Sequence, residues 1–257
     1  MGLTPAQIEQ FNEQGFLIVE NVLTEDELAA MRARAEQIAR GELAPDSGIR
    51  RQVEPGIERG EATAESYELS LRKMVGLALA RDPAFEAHAK RPRIVEMVQA
   101  LLGPDLALYQ DQLFMKAPYV GSRQPYHQDQ PAGFYIDPPE LLVTCWTALD
   151  ASTEENGCLR YLPGSHKLGP LSREERAAWE ARALAGELTD EVPLVLPPGG
   201  CGLHHGWLLH ASDVNRSAKR RRGYAMHYVS ARCRYTGPEP KPDFLPVSGR
   251  TYPGAIV

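Results

Sequence analysis

Tyr126-His127-Gln128-Asp129-Gln130 is the stretch from which the fold and chemistry of this 257-residue chain can be read. Taken as an extended segment, it alternates faces, so residues i and i+2 project together. His127 and Asp129 then point one way and Gln128 the other. One imidazole nitrogen beside one carboxylate oxygen is two thirds of the 2-His-1-carboxylate set that holds Fe(II) with coordination positions left open. A three-residue pattern arises often by chance, so the reading depends on a third ligand downstream.

His210 is that candidate. The apolar run Trp207-Leu208-Leu209 delivers it, and a polar turn rich in Ser, Asp and Asn follows. Eleven residues further on, Arg221 opens a second β-like run, Arg222 to Val229. The two runs read as a hairpin, which would set Arg221 across from His210. A guanidinium suits a bidentate grip on a carboxylate, as an iron site with a dicarboxylate cosubstrate requires.

With these residues in place, the chain resembles the phytanoyl-CoA dioxygenase family of Fe(II)/2-oxoglutarate oxygenases, from about Thr4 to Tyr235. The patches that carry the resemblance are His127-Gln128-Asp129, Trp146-Thr147-Ala148-Leu149-Asp150, the run from Glu155 to Lys167 through Pro163-Gly164-Ser165-His166, and His210-Ala211-Ser212 through Arg221. The resemblance implies iron held by His127, Asp129 and His210. It implies 2-oxoglutarate held through its distal carboxylate by Arg221 with Ser212 beside it, and further contacts from Trp146, Gln112 and Lys73. It also implies the reaction: O2 is consumed, 2-oxoglutarate becomes succinate and CO2, and a small organic substrate is hydroxylated. Related halogenases lack the carboxylate ligand, so Asp129 favours hydroxylation, or another ferryl-driven oxidation, over halogenation. For each cosubstrate residue a plainer role competes: Trp146 as core, Gln112 as a cross-strand hydrogen bonder, Lys73 as a solvated helix lysine.

The other histidines divide by position. Strand parity sets His204 on the face of His210 and His205 on the opposite one, so His204 is a possible ligand by spacing alone. In the resemblance, His-Gly-Trp-Leu-Leu-His-Ala-Ser matches at His205 and His210, with His210 as ligand, leaving His204 and His205 structural or pocket-lining. His166 reads as turn-stabilising, His227 as core or pocket, and His88 as surface. Tyr126, Gln128, Phe134, Tyr135 and Trp207 are candidates to line a substrate pocket, and Arg123 and Arg160 to meet an anion if they face inward.

Bulk properties limit the alternatives. The length suits one sizeable core. A net charge of −6 argues against a broad nucleic-acid footprint. No apolar run reaches the roughly 18 residues of a membrane span, and the first residues lack the basic and apolar regions of a signal peptide. Lys219-Arg220-Arg221-Arg222 reads as a solvated turn. Cys145, Cys158, Cys201 and Cys233 show no C-x-x-C spacing and read as buried thiols of a cytoplasmic protein.

Along the chain, Thr4 with Gln7 and Thr24 with Glu27 form capping boxes that open helices ending near Gly15 and Arg40. The strand Phe16–Glu20 lies between them. Residues 41–68 read as a long loop of the kind that forms lids or binding sites, and Ser66–Ala80 gives mixed signals. Helices follow over Asp82–His88 and Pro92–Leu102. From Asp105 the texture becomes β. Leu106–Lys116 alternates, with Leu106, Leu108, Gln110, Gln112, Phe114 and Lys116 on one face. Further strands are expected at Ser122–Gln130, Leu141–Leu149, Gly157–Leu162, Val192–Leu196, Cys201–His210 and Arg222–Ala231, with a helical insertion at Arg173–Leu184.

Helices followed by about eight strands fit a mainly β, double-sheet jelly roll, the double-stranded β-helix of the family, under an N-terminal helical layer. The expectation is a single domain over 1–257: helices mainly in 1–104, the β core in 105–235, an irregular tail in 236–257. Two other functions compete with the oxygenase. One is a non-catalytic metal-binding β-barrel, a sensor or binding module, which would have no use for Arg221 and Ser212. The other is a purely structural sheet protein, which would take up no metal. Oligomeric state is not legible in the sequence.

Overall fold

The computed structural model describes residues 2–42, 48–130 and 134–257. Helix α1 (Pro5–Gln14) starts at a Thr4–Gln7 capping box and stops at Gly15, whose φ of 83° is the left-handed conformation that ends helices. Strand β1 (Phe16–Val19) leads to α2 (Glu25–Ala39), opened by the Thr24–Glu27 capping box and buried along Leu28, Met31, Ala35 and Ile38. The expected loop over 41–68 is not structureless, although part of it, 43–47, lies outside the described residues. It contains β2 (Arg50–Val53) and α3 (Pro55–Glu58), and α4 (Tyr67–Ser70) passes directly into β3 (Leu71–Val75). Strand β3 gives β2 a pairing partner that local sequence cannot reveal. Lys73 therefore sits on a strand rather than a solvated helix.

Helices α5 (Pro83–Ala89) and α6 (Pro92–Leu102) each carry Pro in the first turn. Strands β4 (Leu106–Lys116), β5 (Gln124–His127), β6 (Ile136–Asp137), β7 (Leu142–Ala148) and β8 (Leu159–Tyr161) follow. The insertion helix α7 spans Arg173–Leu184 and has no buried residue. Then come β9 (Val192–Pro193), β10 (Cys201–His205), β11 (His210–Ser212), β12 (Arg221–Ser230), β13 (Arg234–Tyr235) and β14 (Leu245–Ser248). The last gives the expected irregular tail one strand, paired with β4.

Two sheets face each other. The larger runs β1-β10-β7-β12-β4-β3-β2, with β14 also on β4, and the smaller runs β5-β11-β8-β9. Strand β12 lies at the centre and all ten of its residues are buried. Tyr224, Met226 and Tyr228 on one face join Leu113, Met115 and the apolar faces of α2, α5 and α6 in the main core. Ala225 faces the smaller sheet with Trp146, Leu159 and Tyr161. This is the jelly roll with an outer helical layer that the sequence implies.

Two further expectations change. The alternation of β4 slips at a bulge beside Tyr109, where Gln110 pairs with His227 but Leu108 pairs with Tyr228. Leu106 and Leu108 join the helical core instead of sharing a face with Gln110, Gln112, Phe114 and Lys116, which line the inter-sheet cavity. His88, expected at the surface, is 1% exposed, with Nε2 3.1 Å from the Thr147 hydroxyl.

Candidate active site

Strand β5 ends at His127, so Asp129 lies in the turn beyond it and reaches the site by chain reversal rather than strand alternation. The expected strand Cys201–His210 is broken at 206–209. Strand β10 belongs to the large sheet and β11 to the small one. His210 on β11 pairs directly with His127 on β5. Their rings are 4.1 Å apart between centroids. One ligand atom from each of His127, Asp129 and His210 can be chosen so that all lie within 4.8 Å of one another.

Hydrogen bonds set the tautomers. His127 Nδ1 lies 2.9 Å from Pro125 O, and His210 Nδ1 lies 2.9 Å from Leu208 O. A carbonyl only accepts, so each Nδ1 carries the proton and each Nε2 presents its lone pair. Burial lowers the pKa of both rings to about 4, with the neighbouring histidine adding to it at His127. Both are thus neutral at pH 7, as a metal ligand must be.

Asp129 is held from behind. Its Oδ2 accepts from the Thr144 hydroxyl at 2.6 Å and from His204 Nε2 at 3.0 Å, while Oδ1 lies 3.8 Å from His210 Nε2. Burial alone would raise this carboxyl, but His227, His210 and the His204 hydrogen bond outweigh it and hold it well below the usual carboxylate range. Behind Thr144 a relay continues. His227 Nδ1 donates to Thr144 at 2.9 Å, Gln112 Nε2 lies 3.4 Å from His227 Nε2, and Lys73 Nζ donates to Gln112 Oε1 at 2.6 Å. His204 does face His210, as parity suggested, but from the opposite sheet. It is spent on Asp129 and, through Nδ1, on the Tyr161 hydroxyl at 3.1 Å. The carboxylate supports Thr144, His204 and His227 carry no local sequence signal, because the pairing of three neighbouring strands, β7, β10 and β12, brings them together.

Arg221 is not across a hairpin from His210. β11 and β12 lie in different sheets, and Arg221 reaches the site by crossing the gap between them. The basic run is a solvated turn only at its start, where Lys219 is exposed: Arg221 is 2% and Arg222 5% exposed. Alternation along β12 separates them. Arg222 points outward to a paired grip on Asp150 and to Glu36. Arg221 points into the cavity, where its Nε and Nη1 have no hydrogen-bond partner among the described residues. Its guanidinium lies 5.2 Å from the Trp146 ring, and Trp146 Nε1 is likewise unpartnered. Gly223 makes room for that indole, since a Cβ there would fall 1.8 Å from Trp146 Cζ2. Lys116, which sequence reasoning passed over, donates to the Ser212 hydroxyl at 2.9 Å and to the Asp213 carbonyl.

These groups line one cavity of about 380 Å³, which also includes Glu54, Arg72, Gln110, Phe114, Ser122, Gln124 and Leu159. All eight site residues expected from the sequence, His127, Asp129, His210, Arg221, Ser212, Trp146, Gln112 and Lys73, lie on its wall. Of the expected pocket residues Phe134, His204 and His227 do, as does Glu54 from the 41–68 segment. Gln128 is bonded to Gly169, Trp207 and Leu171, Tyr126 to Glu191, and Trp207 to Gln130. Tyr135 is largely exposed. Arg123 and Arg160 are paired with Glu180 and Glu154, so neither is free to meet an anion. The four cysteines are free and buried. Among the described residues no helix is long and apolar enough to cross a membrane.

Comparison with known proteins agrees with this architecture. The phytanoyl-CoA dioxygenase (PhyH) family model matches residues 11–223. The peroxisomal phytanoyl-CoA dioxygenase of Rattus norvegicus is 30% identical over 244 residues, spanning 91% of this chain and 70% of that protein. Its Homo sapiens counterpart is 30% identical over 246 residues, with the same coverage. Among solved structures, EctD from S. alaskensis with 2-oxoglutarate and 5-hydroxyectoine superposes with a TM-score of 0.74 at 22% identity, covering 99% of this chain and 86% of that one. The carbocyclase SnoK from nogalamycin biosynthesis superposes with a TM-score of 0.71 at 21% identity, covering 96% and 94%. The chain belongs to the phytanoyl-CoA dioxygenase family.

Proposed function

We propose that this chain is a non-haem Fe(II)- and 2-oxoglutarate-dependent dioxygenase that hydroxylates a small organic substrate, with His127, Asp129 and His210 as its iron ligands. One observation carries the proposal. Two neutral imidazole Nε2 lone pairs and one carboxylate oxygen converge beside a buried guanidinium with unused N–H donors. Two histidines and one carboxylate suit Fe(II) with open positions, and an orphaned buried guanidinium suits the distal carboxylate of 2-oxoglutarate. A metal-binding module without a cosubstrate would leave Arg221 buried and unpaired to no purpose.

Iron and 2-oxoglutarate bound here supply the oxidising chemistry, in which O2 is consumed, succinate and CO2 form, and the substrate gains a hydroxyl. The protein supplies position and charge. The two Nδ1–H···O=C bonds fix the ring planes, and Thr144 and His204 fix Asp129 so that Oδ1 faces the imidazoles. In this reading Arg221 and Ser212 take the distal carboxylate, with Trp146, Gln112 and Lys73 as further contacts. The relay from Lys73 through Gln112, His227 and Thr144 would couple that end of the cavity to the ligand Asp129. A cavity of about 380 Å³ is near the lower end of the roughly 300–1,000 Å³ range of small-molecule sites and must hold cosubstrate as well. The substrate is therefore small, or inserts only one end.

Pairing of β1 with β10 and of β14 with β4 supports reading the chain as one catalytic unit. The free buried thiols support a reducing, cytoplasmic setting. Calorimetry tests the assignment. The protein should take up one Mn(II) per chain and then one 2-oxoglutarate, with no cosubstrate binding before metal. Asp129→Ala should weaken metal binding sharply. Uptake of 2-oxoglutarate by the metal-free protein, or unchanged Mn(II) affinity in Asp129→Ala, would remove the proposed site.

A further inference from the structure

Resting on the oxygenase reading, the geometry points to an anionic substrate, a small carboxylate or a molecule presenting one, with Arg72 as the residue that receives it. Consecutive residues of a strand face opposite sides, yet Arg72 and Lys73 both line the cavity. The cause is local. Gln52 pairs with Lys73 and Val53 with Leu71, so Arg72 is the extra residue of a bulge and opposes no partner. A bulge re-aims a side chain out of strict alternation and is common beside functional sites.

The guanidinium so delivered is anchored and left with spare donors. Arg72 Nη2 donates to Gln124 Oε1 at 2.6 Å, the only hydrogen bond of its side chain among the described residues, and it forms no ion pair there. Gln124 sits on the strand that ends in His127 and is the register partner of Ser212. Arg72 is thereby tied directly to the strand that carries the metal site. Among the described residues the one cavity carboxylate outside the proposed metal ligands, Glu54, is 2% exposed and held by the backbone and hydroxyl of Ser122 at 3.4 and 2.8 Å, not by Arg72.

Charge leads the same way. Arg72, Lys73 and Arg221 face the cavity as cations, while burial beside Arg221 draws Lys116 down to about 6; among the described residues the opposing carboxylate outside the proposed metal ligands is Glu54. The iron's second charge exceeds what Asp129 offsets, and 2-oxoglutarate brings only two negative charges, which the proposed function assigns to the iron and to Arg221. A cation is left over at the bulge, and a second carboxylate-bearing molecule is what it fits.

The test uses the Mn(II)-loaded protein saturated with 2-oxoglutarate, with propionate and propionamide as probes. The readout is paramagnetic relaxation of their methyl protons by Mn(II). Propionate should be relaxed and propionamide should not. Arg72→Gln should weaken the propionate effect at least about tenfold, the loss of one charge-assisted hydrogen bond, while Arg72→Lys keeps part of it. In both variants 2-oxoglutarate affinity should stay within about twofold of wild type. Equal relaxation of the two probes, unchanged propionate binding in Arg72→Gln, or loss of 2-oxoglutarate along with propionate would overturn the assignment. Failure of metal-loaded wild-type protein to take up 2-oxoglutarate would instead overturn the function on which it rests.

Discussion

Arg221→Met should make the metal-free protein more stable and the metal-loaded protein nearly blind to its cosubstrate. The guanidinium is 2% exposed, and two of its nitrogens are unpartnered. Burial pulls its pKa down to about 10 against smaller opposing contributions from Cys158 and Asp150, a net cost on the order of 3 kcal/mol. The cation–π contact with Trp146, at 5.2 Å, returns ~1–2 kcal/mol. A methionine fills similar volume without the charge, and replacing buried charges by apolar side chains is often stabilising. The net gain should be ~1–2 kcal/mol, or roughly 3–6 °C in Tm for a chain of this size. Binding moves the other way. Losing a bidentate, charge-assisted grip costs ~3 kcal/mol, about a hundredfold in Kd. Urea unfolding of the apo-protein and calorimetry of 2-oxoglutarate on the Mn(II) form read the two effects separately. An apo-protein destabilised by more than about 1 kcal/mol would show that Arg221 already has a structural partner, and an unaltered cosubstrate Kd would remove it from the binding site.

Three other perturbations probe the support around the site. Gly223→Ala would drive a methyl group to 1.8 Å from Trp146 Cζ2, so we expect ~3 kcal/mol of destabilisation together with weaker 2-oxoglutarate binding; a variant unfolding at the wild-type urea midpoint would mean the indole moves aside freely. Thr144→Val deletes the 2.6 Å hydrogen bond to Asp129 Oδ2 and should raise the Mn(II) Kd ~10–100-fold, the usual cost of losing a carboxylate's support; equilibrium dialysis showing no change would mean that His204 suffices. His88, buried and drawn down to about 3 by desolvation, binds its proton more weakly folded than unfolded. Its contribution to stability is therefore complete above the ordinary histidine range and is lost as pH falls from about 6.5 toward 3. Between pH 6 and 4 the metal-free His88→Gln variant should lose ~1.4 kcal/mol per pH unit less than wild type. Equal slopes in urea titrations would show that His88 already titrates normally.

Much of this was legible before folding. The capping residues Thr4 and Thr24 announced their helices because an N-cap acts on its own first turn. His127, Asp129, His210 and Arg221 stood out as residue types whose chemistry is hard to explain otherwise. What escaped was set by pairing at long range. The hairpin expected between His210 and Arg221 failed because a polar turn between two strands does not say whether the chain turns back within a sheet or crosses to the facing one. Alternation along Leu106–Lys116 failed at one bulge, and a bulge beside Lys73 placed Arg72 in the cavity without a local signal. The run Lys219–Arg222 looked solvated because its partners Glu36, Glu68 and Asp150 lie far away in sequence. His204, by contrast, was read as structural or pocket-lining, and it stands behind Asp129 on the cavity wall.

The measurement closest to the central claim is the visible spectrum of the anaerobic protein as Fe(II) and then 2-oxoglutarate are added. Cosubstrate chelating iron held by His127, Asp129 and His210 should give a weak metal-to-ligand charge-transfer band, present in wild type and absent or much reduced in Asp129→Ala and Arg221→Met. Iron binding with no band on addition of 2-oxoglutarate, or a band unaltered in both variants, would contradict the account.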